Sequence, residues 1–248
     1  FLADRRFTEV GLIGALICAG LTLGLGFWWF KPRPMWQGIL WGALAQPVVF
    51  SLNNQMVGIS NKLGITHLDA ALYSPLPEET IKLLGVVIIV AAFKNVRHPY
   101  QAAAIGMAIG LGFDAMENVP FILHAAIDNL DGDLWGVIIT GTGRFFVGAF
   151  SHALYTGVAA WGVGKLYAGA RHGYWQVAGF WLAGIALHTL FNGSTMIAGE
   201  WPATILVIAL ITWTLIFWGL RFMRKQDRKY AAQSSENVLS TKDPEYSS

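Results

Sequence analysis

The chain has 248 residues, of which 54% are hydrophobic and only 13% are charged, and its formal net charge is +2. A soluble domain of average composition carries about 25% charged residues, so the composition excludes an ordinary soluble domain. The 28 glycines and 11 tryptophans are typical of a helical membrane protein, in which glycine permits close packing and tryptophan lies at the lipid interface.

Seven apolar segments follow one another, each close to the roughly 20 residues that a membrane-spanning helix needs. They are residues 8–30, 36–57, 77–93, 101–127, 134–166, 175–198 and 201–220. The fifth is long enough to begin with a short interfacial piece, broken near Gly141 to Gly143, before a continuous helix from Arg144 to Lys165. We therefore predict an all-α, polytopic membrane protein with about seven transmembrane helices, or eight if the fifth segment is divided.

The chain divides into four parts along its length. We predict N-terminal transmembrane helices with an external loop in 1–76, a core of four transmembrane helices in 77–198, a last transmembrane helix in 199–220, and a basic, disordered tail in 221–248.

Loop charges indicate the orientation in the membrane. The tail is basic through Arg221, Arg224, Lys225, Arg228 and Lys229, whereas the loop 128–133 is acidic. Because cytoplasmic flanks are rich in Lys and Arg, we predict a cytoplasmic C-terminus and no nucleic-acid partner for the tail. Seven spans would place the N-terminus outside, which Arg5 and Arg6 oppose, so the N-terminal topology stays open.

Polar and ionisable residues lie inside the predicted spans in four short motifs. These are Glu78-Glu79-Thr80-Ile81-Lys82, Phe113-Asp114-Ala115-Met116-Glu117-Asn118, Ser151-His152 and His188-Thr189-Leu190-Phe191-Asn192. A charge near the centre of a spanning helix costs ~2.5–3.5 kcal/mol or more, so a chain that keeps several is expected to use them together. At a helical rise of ~1.5 Å per residue, one residue of each motif lies about 20–24 Å from the inner end of its span. We therefore predict that four helices bring these side chains to one layer in the outer half of the membrane.

The carboxylates in these motifs outnumber the cations. The carboxylates are those of Glu78, Glu79, Asp114 and Glu117, and the cations are Lys82 and Arg144. Lys82 is four residues from Glu78 and three from Glu79, so on a helix it can pair with either. Protonation or a divalent cation can meet the remaining negative charge, and two histidines with one glutamate form a recognised zinc set. The sequence does not choose between protonation and a metal.

The four motifs, in this order, resemble those of the PrsW family of bacterial intramembrane proteases. The first motif resembles the family's EExxK signature, and residues 110–118 resemble its GxGFxxxEN element. Residues 151–157 resemble the family's third motif, and residues 188–192 resemble its fourth. The family is distantly similar to CAAX prenyl endoproteases and bacteriocin-immunity-type membrane proteins. The resemblance implies a polytopic protein of the bacterial plasma membrane that cleaves a single-pass anti-sigma factor at its extracytoplasmic side. The expected partners are membrane lipids and a single-pass substrate protein; the oligomeric state stays open.

The resemblance implies hydrolysis by activated water, for which the candidate catalytic residues are Glu78, Glu79, Lys82, Glu117, His152, His188 and Asn192. Glu79 can act as general base, with Glu78 or Lys82 holding it in place. Glu117, His152 and His188 are the candidate ligands of a divalent metal such as Zn²⁺. His188 and Asn192 share one helix face and could donate hydrogen bonds to the oxyanion. The supporting residues are Asp114, Asn118 and Arg144, and the role of Asp114 stays open.

The sequence offers no convincing catalytic nucleophile. Cys18 is far from the four motifs in sequence, and Ser151 lacks an evident serine-protease triad. The sequence is therefore compatible with a metalloprotease or a metal-free, glutamate-dependent protease. A proton- or ion-coupled transporter also keeps Asp, Glu and His at membrane depth, although the inverted repeats typical of such proteins are not evident. A non-catalytic membrane scaffold could hold the same polar network.

Overall fold

The computed structural model describes residues 8–30, 35–64, 73–93, 96, 98–148, 150–198 and 202–240. Throughout these residues the regular structure is helical, without strands, which confirms the all-α prediction. The α-helices are α1 (Glu9–Phe30), α2 (Met35–Leu63), α3 (Pro75–Ala92), α4 (Pro99–Asp128), α5 (Asp133–Gly143), α6 (Ser151–Tyr167), α7 (Gly173–Ala198) and α8 (Pro202–Ser240). Residues 1–7 and the predicted external loop around 65–72 lie outside the described residues.

Several helices present apolar surfaces suited to lipid. Among the described residues, three stretches are long and apolar enough to cross a membrane, namely Glu9–Gly26, Asp133–Tyr167 and Leu206–Gln226. Leucines on α1 and α8 are widely exposed, for example Leu16 at 61% and Leu210 at 68%, as expected for side chains that face acyl chains. These features support a polytopic membrane protein without fixing the number of spans.

The helix α4 lies at the centre of the bundle, where it packs against α1, α2, α3, α5 and α6. The helix α6 lies between α4 and α7, and α3 contacts α4, α6 and α7. Their shared core includes Val86 of α3, Ile105 and Ile109 of α4, and Ala160 of α6. The four helices that carry the sequence motifs are therefore packed together.

Two glycines one turn apart allow α4 and α6 to approach closely. A Cβ atom at Gly106 would overlap the carbonyl oxygen of Thr156, and one at Gly110 would overlap that of His152. Small residues at this spacing are typical of contacts between membrane helices, because they let the two backbones meet. The contact brings the third motif against the second.

The long fifth apolar segment is interrupted, but the predicted continuous helix from Arg144 to Lys165 is wrong. After α5 ends, Arg144–Gly148 forms a π-helical turn. Phe150 then adopts a left-handed conformation with φ of 66°, and α6 begins only at Ser151. This conformation is unfavourable for a bulky residue. Here it is stabilised by complete burial of Phe150, whose ring packs edge-on at 5.5 Å from that of Trp213.

The last helix extends beyond the predicted membrane span. The tail that was expected to be disordered after residue 220 is helical as far as Ser240. Its Arg, Lys, Gln and Ala residues have high helix propensity, and an existing helix is more easily extended than a new one is nucleated. Residues 241–248 lie outside the described residues.

Candidate functional site

All four motifs meet in one buried cluster. The ionisable members are Glu78, Glu79 and Lys82 of α3, Asp114 and Glu117 of α4, His152 of α6 and His188 of α7. The side chain of Glu117 is 19% exposed, whereas the other six residues are almost inaccessible. Charged side chains are seldom buried unless they are paired, and each member of this cluster has a partner on another helix.

Lys82 occupies the centre of the cluster. Its ammonium nitrogen lies 2.9 Å from Oε1 of Glu79 and 3.4 Å from Oε2 of Glu78, so the predicted pairing within α3 is confirmed for both carboxylates. The same nitrogen is 2.6 Å from Nδ1 of His152. It also lies 3.8 Å from the centroid of the Phe113 ring, where a cation is favourably placed.

Glu79 is held by three helices at once. Besides its contact with Lys82, Oε1 lies 3.1 Å from Nδ1 of His188. Its Oε2 accepts a hydrogen bond of 3.0 Å from the hydroxyl of Thr156. Both carboxylate oxygens are therefore fixed by groups from outside the turn that carries them.

Glu78 faces the two imidazoles. Its Oε1 accepts a hydrogen bond of 3.3 Å from the amide of Asn53 on α2. Its Oε2 lies 3.8 Å from Nδ1 of His152 and 3.8 Å from Nε2 of His188. Neighbouring residues on α3 thus have different surroundings, since Glu79 is tightly hydrogen-bonded while one oxygen of Glu78 points between the histidines.

His152 has a different partner on each side of its ring. An ammonium can only donate, so Nδ1 accepts from Lys82 and the ring proton lies on Nε2. That nitrogen is 3.2 Å from Oε2 of Glu117, to which it donates, and 3.8 Å from Oδ1 of Asp114. A histidine held this way by a carboxylate has a fixed tautomer and a fixed ring orientation.

Arg144 anchors Glu117 from the π-helical turn. Its Nη2 is 2.5 Å from Oε2 of Glu117, its Nε donates to Oδ1 of Asn118, and its guanidinium lies 4.0 Å from the Phe121 ring centroid. The sequence identified Arg144 and Asn118 only as supporting residues. In the structure Asn118 contacts Arg144, which in turn binds Glu117.

His188 completes the cluster from α7. Because Nδ1 donates to Glu79, the lone pair on Nε2 faces Glu78. The ring of Tyr155 stacks on it at 5.0 Å, and the ring of His152 lies edge-on at 4.7 Å. One turn further along α7, the half-buried Asn192 donates a hydrogen bond of 3.4 Å to the hydroxyl of Ser74, directly before α3.

Two sets of three residues in the cluster could hold a metal ion. They are Glu78, His152 and His188, and Asp114, Glu117 and His152, and within each set the ligand atoms lie within 4.8 Å of one another. The predicted set of Glu117, His152 and His188 is neither of these. The two nitrogens of an imidazole point in different directions. Glu117 lies beside Nε2 of His152, whereas Glu78, which also lies beside His188, is next to Nδ1.

The first set has the composition of a zinc site. Two histidines and one glutamate are a known catalytic donor set, and tetrahedral ligands about 2.1 Å from the metal lie roughly 3.4 Å apart. Glu78 Oε2 is 3.8 Å from a nitrogen of each histidine, so a small inward movement would give this geometry. The residues present therefore fit a zinc ion.

A sequence model described as PrsW family intramembrane metalloprotease matches residues 31–220. The chain belongs to this family. The match confirms the resemblance carried by the four motifs, and it extends over α2, which supplies Asn53. Searches of curated proteins and of solved structures gave no significant match. Membership of the PrsW family supports a peptidase located in a membrane, in agreement with the apolar helices.

Sequence reasoning missed several residues that contact the site. Thr156 binds Glu79, Tyr155 stacks on His188, and Asn53 binds Glu78. Thr156 follows His152 by one helical turn, so its position on the same helix face could have identified it. Asn53 lies outside the four motifs, and no spacing in the sequence connects it to Glu78.

Proposed function

We propose that this chain hydrolyses a peptide bond in a single-pass membrane protein, at a point in the outer half of the membrane. The observation that carries the proposal is the convergence of Glu78, His152 and His188 around one position, with the carboxylate of Glu79 beside it. A buried network that serves only stability requires paired charges. This one additionally offers three metal-binding atoms next to a second carboxylate, which is the composition of a hydrolytic metal centre.

Glu78, His152 and His188 would hold the metal. A Zn²⁺ ion held there would supply Lewis acidity for the scissile carbonyl and for the attacking water. Glu117 and Arg144 support this set from the opposite side of His152. They keep the ring proton on Nε2, so that Nδ1 presents its lone pair to the shared position.

Glu79 is the proposed general base. Its Oε1 lies beside both His188 and Lys82, and the hydroxyl of Thr156 fixes the orientation of the carboxylate. The base accepts a proton from the attacking water and returns it to the leaving amine as the peptide bond breaks. Asn192, on the same face of α7 as His188, offers an amide donor to the developing oxyanion.

Substrate and water are proposed to enter beside Glu117 and Arg144 and to pass His152 on the way to the shared position. The side chains of these residues are 19% and 26% exposed, whereas Glu79 and Lys82 are completely buried. The family resemblance makes an anti-sigma factor the model for the substrate. We accordingly propose location in the bacterial plasma membrane, with the C-terminus in the cytoplasm.

The proposal is tested by identifying proteins that accumulate in cells. Quantitative proteomics of membranes should show at least one single-pass protein that accumulates with the Glu79→Gln variant and disappears with the unmodified chain. The purified chain, reconstituted in lipid vesicles, should then cleave that protein. If the reconstituted chain leaves every accumulating protein intact but carries a substrate-dependent ion flux, the transporter hypothesis replaces the peptidase.

A further inference from the structure

An ammonium group contacts the position that a metal would take between Glu78, His152 and His188. The nitrogen of Lys82 lies 2.6 Å from Nδ1 of His152 and 3.4 Å from Oε2 of Glu78. It therefore binds two of the three groups that make up the metal set. Lys82 is completely buried, so its contact with His152 is part of the interior packing.

The ammonium and a metal ion cannot share this position. Nδ1 of His152 has one lone pair, which either accepts a hydrogen bond from Lys82 or coordinates a metal. In addition, a unit positive charge a few ångströms from a divalent cation is strongly repelled where the surroundings exclude water. Occupation by a metal therefore requires the nitrogen of Lys82 to leave His152.

We propose that the ammonium group of Lys82 blocks the metal site formed by Glu78, His152 and His188. A divalent cation binds there only after the ammonium has moved away from His152. The inference rests on the proposed function for the identity of the metal set. Displacement is chemically reasonable because the ammonium has a second partner on its own helix, Oε1 of Glu79, at 2.9 Å. The flexible four-carbon stem of lysine lets it keep that partner while Glu78 turns towards the metal.

The test measures zinc affinity in the full chain, purified in detergent and stripped with a chelator. Equilibrium dialysis against Zn²⁺ alone, followed by elemental analysis, gives the dissociation constant of each variant. Lys82→Met keeps the length of the side chain and removes its charge, so it should bind zinc at least about tenfold more tightly than the unmodified chain. Adding His188→Ala to this variant should abolish the gain. Equal or weaker binding by Lys82→Met overturns the proposal.

Arg144→Met is the matched control for charge. It also removes one positive charge near His152, but on the Nε2 side of the ring, where Arg144 binds Glu117. The control should increase zinc affinity much less than Lys82→Met does. An equal increase of zinc affinity in both variants would mean that charge alone governs binding. The proposal that Lys82 blocks the site would then be rejected.

The unmodified chain offers a test that does not depend on a variant folding. In its structure determined with saturating zinc, the nitrogen of Lys82 should lie beyond hydrogen-bonding distance of Nδ1 of His152. Zinc bound to Glu78 and His188 with that hydrogen bond intact, or no zinc at this position, overturns the inference. Cleavage is measured separately. Peptidase activity without zinc binding rejects the metal set and the role of Lys82 but keeps the peptidase, whereas zinc binding without cleavage rejects the hydrolase and keeps the role of Lys82.

Discussion

Glu79 and Glu78 are adjacent in sequence but differ in what surrounds them. The oxygens of Glu79 meet Lys82, His188 and Thr156, while one oxygen of Glu78 points between two imidazole rings. The difference follows from the helix, because consecutive side chains project about 100° apart. It also divides the proposed chemistry, since one carboxylate accepts a proton while the other holds the metal.

Glu79→Gln should abolish cleavage while the protein still folds. The amide has nearly the same shape but cannot act as a base, and Lys82 keeps Glu78 as a counter-ion. Cleavage in vesicles and thermal unfolding in detergent measure the two effects separately. Glu9→Gln on the exposed surface of α1 is the control and should behave like the unmodified chain. Full activity of Glu79→Gln would remove the base assignment.

Thr156→Val should lower cleavage about 10–100-fold, as expected for loss of a group that orients a catalytic side chain. The valine matches threonine in shape, so the main change is the missing hydrogen bond to Oε2 of Glu79. Leaving this buried oxygen without its donor should also cost about 1–3 kcal/mol of stability. Thr156→Ser retains the hydroxyl and should keep most of the activity. Similar rates for the valine and serine variants would contradict this positioning role.

The convergence of the four motifs was predictable from the sequence, but the arrangement around the helix axes was not, and the predicted depth in the membrane stays a prediction. Counting residues from the span ends placed Glu79, Glu117 and His188 in one layer, and the structure brings them to one cluster. The counting could not show that Glu117 lies beside Nε2 of His152, whereas Glu78 lies beside Nδ1. That distinction depends on how α4, α6 and α7 are rotated in the bundle, and the proposed metal set changed accordingly.

At the scale of secondary structure, the contact between α4 and α6 controls the position of His152. Gly110→Ala should disrupt it, because the new Cβ atom would overlap the carbonyl oxygen of His152, a backbone atom that cannot turn aside. We expect a loss of about 1–3 kcal/mol in stability, together with loss of cleavage. Gly24→Ala is the control, since its Cβ atom would have open space. Unchanged cleavage and unfolding temperature in Gly110→Ala would show that the helices can separate without cost.

The helix boundaries were predictable to different degrees. The glycines of residues 141–143 indicated a break, and α5 indeed ends at Gly143. The π-helical turn and the left-handed Phe150 were not predictable, because local preference disfavours this conformation for a bulky side chain. It depends on burial against Trp213, which lies on a helix more than sixty residues further along the chain.

For the whole molecule, the charges of the loops predict opposite sides of the membrane for the loop between α4 and α5 and for the end of α8. Leu130→Cys lies at a fully exposed position in this loop, and Lys225→Cys is exposed on α8. In a Cys18→Ala background, an impermeant maleimide should label Leu130→Cys in intact cells and Lys225→Cys only after permeabilisation. The reverse pattern would invert the proposed orientation.

The interruption between α5 and α6 determines which residues can meet. Arg144 and His152 contact the same oxygen of Glu117, although they are eight residues apart. Between them lie the π-helical turn and the left-handed Phe150, which set the distance between the two side chains and the directions in which they project. The number of residues from 144 to 151 is therefore as important as their identity. We expect this connection to tolerate many single replacements, whereas deleting or inserting one residue in it would rotate the imidazole away from its carboxylate.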